Sequence, residues 1–343
     1  MTSLAQARYL ALTFLAVLAG AVVMAQDPQP LTLVDALARA GEHAPAVEAA
    51  ERVLADAQRE LELATVDPTT TRQAHGAAAR SVAAAEMDLV VARATANHEV
   101  VLAYAEVLEA QAERSLARKR LEILGVTLEA TRARFGAGAV TTAEVSNAES
   151  DLASQERALL EAESRLAFAE DALAALVGGQ PASLASITTE DLLADDELEA
   201  LVDGALESSA RVAAARRAVE AAEARLAAAD NALSARMEIE AARQSVANSV
   251  DALAVAEATA VREVQRARFA VTSADNRYNG ARAAAASAAS SLAAQEARLE
   301  AGTISALAFA QSELALQAAV ADEASALHDL VAAQYALRVA GVR

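Results

Sequence analysis

No cysteine occurs among the 343 residues, which excludes disulfides, thiolate metal sites and a lipid-modified N-terminal cysteine. Tryptophan is also missing, and aromatics reach only 3%, so large rings cannot fill a conventional core. Five prolines and twelve glycines leave few places where a helix would have to stop. Basic residues are scarce, 29 Lys+Arg against 48 Asp+Glu, for a net charge of −19. Nucleic acid is therefore excluded as a partner, because phosphate binding needs clustered Lys and Arg. What is abundant is alanine: 55% of the residues are apolar and most of these are Ala. Alanine has the highest helix propensity and a small side chain. The composition predicts long helices packed closely through small faces.

The N-terminus reads as an export signal. Arg8 is the only charge before the apolar run Tyr9 to Met24, and the polar Gln26-Asp27-Pro28 follows. Val23 and Ala25 place cleavage before Gln26, which makes 1–25 a signal peptide. The alternative is an uncleaved anchor, but a 16-residue run is short for a bilayer span. No later run approaches that length.

The chain repeats itself. Arg134-Phe-Gly-Ala-Gly138-Ala-Val-Thr141 corresponds to Arg298-Leu-Glu-Ala-Gly302-Thr-Ile-Ser305, an offset of 298 − 134 = 164 residues. At nearly that offset Leu33-Val34-Asp35 faces Leu201-Val202-Asp203, and Ala46 to Arg52 faces Arg211 to Arg217. Such self-similarity signals a tandem architecture.

Heptads sharpen this. Val145, Leu152, Leu159, Leu166 and Leu173 recur every seven residues after the first Gly turn, with Ala148, Gln155, Ala162, Ala169 and Leu176 three residues beyond each. Phe309, Leu316, Glu323, Leu330 and Leu337 repeat the spacing after the second turn, accompanied by Ser312, Ala319, Ala326, Ala333 and Ala340. Large residues alternating with small ones at these positions make a coiled-coil seam. Leu121, Leu128 and Phe135 carry the stripe up to the first turn, and Leu292 and Leu299 up to the second. The predicted helices span roughly 31–43, 45–65, 74–135 and 140–177, then 198–209, 211–230, 236–301 and 304–341. Gly138 and Gly302 stand where a helix end needs a left-handed residue. The expected organisation is a first helical repeat over 26–177, a linker over 178–197 and a second helical repeat over 198–343.

With these residues in view the chain resembles the TolC-like outer membrane efflux proteins. The resemblance rests on Leu31 to Leu37 followed by His43-Ala-Pro45, on Ala103-Tyr104 to Leu108, on Arg134-Phe135 leading to Gly138, and on the doubled order of these segments. It implies an all-α, long antiparallel coiled-coil hairpin protomer that joins a homotrimeric helical duct in the periplasm. Implied partners are a membrane-fusion adaptor and an inner-membrane pump. The hairpin tips, Gly138, Ala139 and Val140 with Gly302, Thr303 and Ile304, would then dock on the adaptor; read from the residues alone they are hairpin bends. Their backbone amides and carbonyls are expected to be unsatisfied within the helices. Thr141 and Ser305 are expected to cap the returning helices.

Two features depart from the family pattern. Family members carry a pair of strands between the second and third helices of each repeat, which build an outer-membrane barrel. Here Val66 to Gln73 is short and rich in Thr, Asp and Pro, and Asp230 to Arg236 hardly interrupts the helix. A spanning strand needs roughly 9–11 residues of alternating polarity, so both strand pairs are read as missing. The family's acidic gate after the turn is matched by Glu144 in the first repeat but by Ala308 and Gln311 in the second. Glu144 and Gln311 are thus the candidate lumen gate, half of it uncharged.

Other chemistry has little support. His43, His75, His98 and His328 show no metal-ligand spacing. Glu149, Asp151 and Glu163 near Arg157 and Arg165 read as charges on a solvated helix face. There is no Gly-x-Ser-x-Gly elbow or phosphate loop, so neither an enzyme nor a cofactor is expected. Tyr104, Tyr278, Phe135 and Phe309 read as packing residues. Two functions remain: a duct component of an efflux or export machine in the cell envelope, or a structural periplasmic coiled-coil spacer without a conducting channel. A duct must close into a ring, whereas a spacer need not.

Overall fold

A computed structural model describes residues 30–231 and 235–343. The signal-peptide segment 1–25 lies outside the described residues. Among the described residues nine α-helices and one short 3-10 turn follow one another, with no strand beyond a single bridge between Leu31 and Leu184. They are α1 (Leu33–His43), α2 (Pro45–Val66), α3 (Arg72–Gly136), α4 (Thr142–Val177), α5 (Asp195–Asp203), α6 (Ala205–Ser208), α7 (Ala210–Ala229), α8 (Arg236–Glu300) and α9 (Ala306–Val342).

The repeat is plain in these lengths. Helices α3 and α8 both have 65 residues, about 98 Å each at about 1.5 Å per residue. Helix α3 packs on α2 and α4, and α8 packs on α7 and α9. Positions 164 residues apart are buried together: Ala96 with Ala260, Val100 with Val264, Ala110 with Ala274 and Leu173 with Leu337. The fold is all-α, built of two tandem long-helix hairpin units.

The heptad seam of α4 lies where the spacing puts it. Every one of its ten a and d residues from Val145 to Leu176 is buried or half-buried. Cover grows away from the tip: Leu152 and Leu159 are half-buried, Leu166 is buried and Leu173 has no exposed surface. Helix α9 behaves differently. It lies against both α8 and α3, so Leu327, Val331 and Tyr335 are buried as well as the seam residues Leu330 and Leu337. The seam reading caught the contact with α8 and missed the second contact face.

Charges flanking the α4 seam reach across it rather than along their own helix. Arg132 pairs with Glu149 at 2.7 Å, Arg118 with Glu163 at 3.9 Å, and Arg165 with Glu113. Glu163 and Arg165 stay partly exposed, as charges on a solvated helix face do, but their partners are on α3. Residues at the edges of an antiparallel seam meet the partner helix, whereas neighbours two apart on a helix diverge.

The helices of the two hairpins stand side by side in the order α4, α3, α9, α8. Helices α3 and α9 run antiparallel, joined by Lys119–Glu313 at 3.4 Å, Gln317 donating to Ser115 at 2.8 Å, and Ser325 donating to Glu109 at 2.9 Å. Since α3 enters the first tip and α9 leaves the second, both tips lie at the same end. At mid-height α1, α3, α4, α9 and the 178–194 connection converge on the main core, around Val100, Tyr104, Leu173, Ile187 and Val331.

The links opposite the tips are short. Helix α2 gives way to α3 across 67–71, and α7 to α8 across 230–235; residues 232–234 of the latter lie outside the described residues. The second link interrupts the helix at the boundary expected between 211–230 and 236–301: Asp230 at φ −79° and ψ 72° leaves helical geometry. Five or six residues are fewer than one membrane-spanning strand requires, so neither link has room for the family's strand pair.

Candidate functional site: the hairpin tips

Each tip is built by the same local chemistry. Helix α3 ends with Ala137 as its C-cap and Gly138 beyond it at φ 72°; α8 ends with Ala301 and Gly302 at φ 70°. The N–H of Ala139 donates to Arg134 O and that of Gly138 to Phe135 O, both at 2.9 Å. At the second tip Thr303 N–H donates to Arg298 O and Gly302 N–H to Leu299 O, again at 2.9 Å. These paired bonds form the Schellman arrangement that closes a helix end. A Cβ at either glycine would meet nothing within 4 Å. The left-handed backbone, not crowding, is what demands glycine here.

The returning helices start under side-chain caps. Thr141 Oγ1 accepts from Glu144 N–H at 3.3 Å, and the Glu144 carboxylate accepts from Thr141 N–H at 2.7 Å, a complete capping box. At the second tip Ser305 Oγ accepts from Ala308 N–H at 3.1 Å, with no acid three residues on to complete a box. Thr303 compensates in part, its hydroxyl donating to Arg298 O at 2.9 Å. The expectation of unsatisfied backbone groups is corrected by these bonds. The turn sequence itself supplies partners for several of the amides and carbonyls that the sequence reading left free.

The site residues separate into two sets. Gly138, Ala139, Gly302 and Thr303 are exposed at the apex, while Val140 and Ile304 are half-buried. Glu144 is exposed, and its carboxyl is held below the usual carboxylate range, first by the backbone N–H and then by the hydroxyl of Thr141. Its immediate role is to start α4. Gln311 is exposed on the second turn of α9.

A second polar cluster was not anticipated from the sequence. Tyr104 is fully buried, its hydroxyl 2.6 Å from the carbonyl oxygens of both Leu31 and Ala185. It thus locks α3 to the bridge between Leu31 and the 178–194 connection. Further along α3, Glu109 meets Ser325 and His328 of α9. Leu327, Val331 and Tyr335, spaced by four, form a second stripe beside the seam. That stripe was the available signal that α9 has two partners. Among the described residues no group of His, Cys, Asp and Glu is placed to hold a metal ion, and no helix is long and apolar enough to cross a membrane.

Two coiled hairpins thus lie side by side with their tips at one end. Residues 67–179 match the model of the outer membrane efflux protein family. Comparison with curated proteins gives no match. Among solved structures, the outer membrane protein VceC of Vibrio cholerae aligns at TM-score 0.63 and 20% identity, covering 90% of this chain and 96% of that one. The Campylobacter jejuni CmeC outer membrane channel aligns at TM-score 0.66 and 12% identity, over 90% and 85% of the two chains. The open-state Neisseria gonorrhoeae MtrE outer membrane channel aligns at 0.65 and 16%, over 90% and 88%. Over the 90% of the chain that these alignments cover the fold is TolC-like, and residues 67–179 carry the outer membrane efflux protein signature.

Proposed function

We propose that the protein is the duct-forming component of an efflux or export machine in the cell envelope. In this reading copies close into a ring, a homotrimer in the TolC manner, and the tips dock on a membrane-fusion adaptor that is coupled to an inner-membrane pump. The observation that carries the reading is the open order α4–α3–α9–α8. Its two edge helices expose large apolar residues, Leu160 at 62% and Phe168 at 72% on α4, and Val255 at 65% and Phe269 at 75% on α8. An α4 edge meeting the α8 edge of the next copy is a head-to-tail contact, and such contacts generate rings when the rotation closes. A monomeric spacer would leave both edges uncovered.

The adaptor-docking step rests on Gly138, Ala139, Gly302 and Thr303, small residues standing exposed at one end. Its test replaces Ala139 and Thr303 with leucine and keeps both glycines. Melting by circular dichroism should change only slightly, because both positions are exposed and the one bond lost is that of the exposed Thr303 hydroxyl to Arg298 O. Adaptor capture in a pull-down, and resistance that depends on efflux, should fall. Should both persist in the double variant, the tips are bends only.

A further inference from the structure

Between α3 and α9, just on the tip side of the Tyr104 junction, the molecule opens into a cleft of about 390 Å³. Small-molecule sites occupy roughly 300–1,000 Å³. Leu108, Ala112 and Leu116 of α3 form one wall, Val320 and Ala324 of α9 the other, and Ile187 of the 178–194 connection closes one end. No Lys or Arg lines the cleft, and its one carboxylate is Glu109. Ser325 donates to Glu109 Oε1 at 2.9 Å, and His328 Nδ1 lies 3.4 Å from the same oxygen. These contacts engage Oε1 and leave Oε2 out, while the side chain keeps 44% of its surface open. His328 and then Ser325 hold the carboxyl below the usual carboxylate range against the opposing effect of burial, so the group is ionised at neutral pH.

An anion beside apolar walls selects its partner by chemistry. A small hydrated metal ion would have to shed water for a single carboxylate, which is a poor exchange. An organic cation is more weakly hydrated and brings a body that can cover the apolar walls. We propose that this cleft binds a small organic cation, an aryl- or alkylammonium, with its charge at Glu109 and its apolar body along Leu108, Leu116 and Val320. The site is independent of the tips: Glu109 and Gly136 are 27 residues apart on α3, about 40 Å along the helix.

The test is calorimetric titration of the full chain with benzyltrimethylammonium, with benzyl alcohol as the uncharged control. Saturable binding to the cation is expected, with the alcohol about tenfold or more weaker. Glu109→Gln keeps the shape and removes the charge, and should weaken the cation about tenfold or more, the loss typical of a charge-assisted contact. Ala324→Phe fills the cleft and should abolish binding while leaving Glu109 in place. Glu113→Gln, one turn on and paired with Arg165 outside the cleft, should change nothing. Absence of saturable binding to the unsubstituted protein overturns the proposal. So does an equal effect of Glu109→Gln and Glu113→Gln, which would mean attraction to the overall negative charge alone.

Discussion

Single residues at mid-height hold the two ends of the first repeat together. Tyr104 was legible as a packing residue, but not as a clamp, because its acceptors are carbonyls of Leu31 and Ala185, far away in sequence. Removing its hydroxyl takes that donor from Ala185 O, while Leu31 O keeps the N–H of Ala185 at 2.9 Å. Tyr104→Phe is expected to cost about 1–3 kcal/mol, read as a lower melting temperature by circular dichroism. Burial first of all pushes the phenol up to about 12, against about 10 for a free tyrosine. The folded state therefore disfavours the phenolate. Its contribution to stability is complete below pH 10 and lost as pH rises through about 12, which melts recorded across that range and absorbance at the phenolate band will show. Gly178 is a second such point, with φ 76° and a position where an added Cβ would lie 2.8 Å from the His43 ring. Gly178→Ala should destabilise through both clash and backbone. Adding His43→Ala should recover only the clash, leaving roughly 1–2 kcal/mol from the left-handed conformation. Full recovery in a double-mutant melt would show that the backbone term is absent.

At the scale of the helix, periodicity made α4 readable residue by residue because one seam decides its burial. Helix α9 resisted because it has two neighbours, so apolar and small residues are needed nearly all round and no single stripe stands out. The same difference sets the energetics. Leu173 is buried without exposed surface and Leu152 only half-buried. Leu173→Ala should therefore cost about 2–5 kcal/mol, and Leu152→Ala distinctly less. A charge in the seam is worse: Leu166→Asp should cost several kcal/mol unless it finds a partner. Glu163→Gln, by contrast, loses one exposed 3.9 Å pair and should be almost silent. Equal losses at seam and surface positions in chemical denaturation would mean that the helix register is wrong.

At the scale of the molecule, the tandem repeat was visible as a 164-residue offset, and the turn glycines fixed where each hairpin folds back. What the sequence could not show is how the hairpins sit side by side, since α3 and α9 meet through residues some 200 positions apart, such as Ser115 and Gln317. That lateral order is what leaves α4 and α8 as open edges. Phe168 and Phe269 stand on those edges at similar heights, 30 residues (168 − 138) and 33 residues (302 − 269) from their tip glycines. In a head-to-tail ring the Phe168 edge of one copy would face the Phe269 edge of the next. Burying two such rings at each junction is favourable, since aromatic side chains cover 150–250 Å² each. Phe168→Asp together with Phe269→Asp should therefore abolish assembly. Each chain's own melt should hardly move, because both rings are already largely exposed within the monomer. Light scattering over a concentration series decides it: the unsubstituted protein should reach the mass of three chains and the double variant that of one. A strict monomer at the highest concentration, before any substitution, would remove the ring and with it the duct, leaving the spacer as the reading that fits the fold.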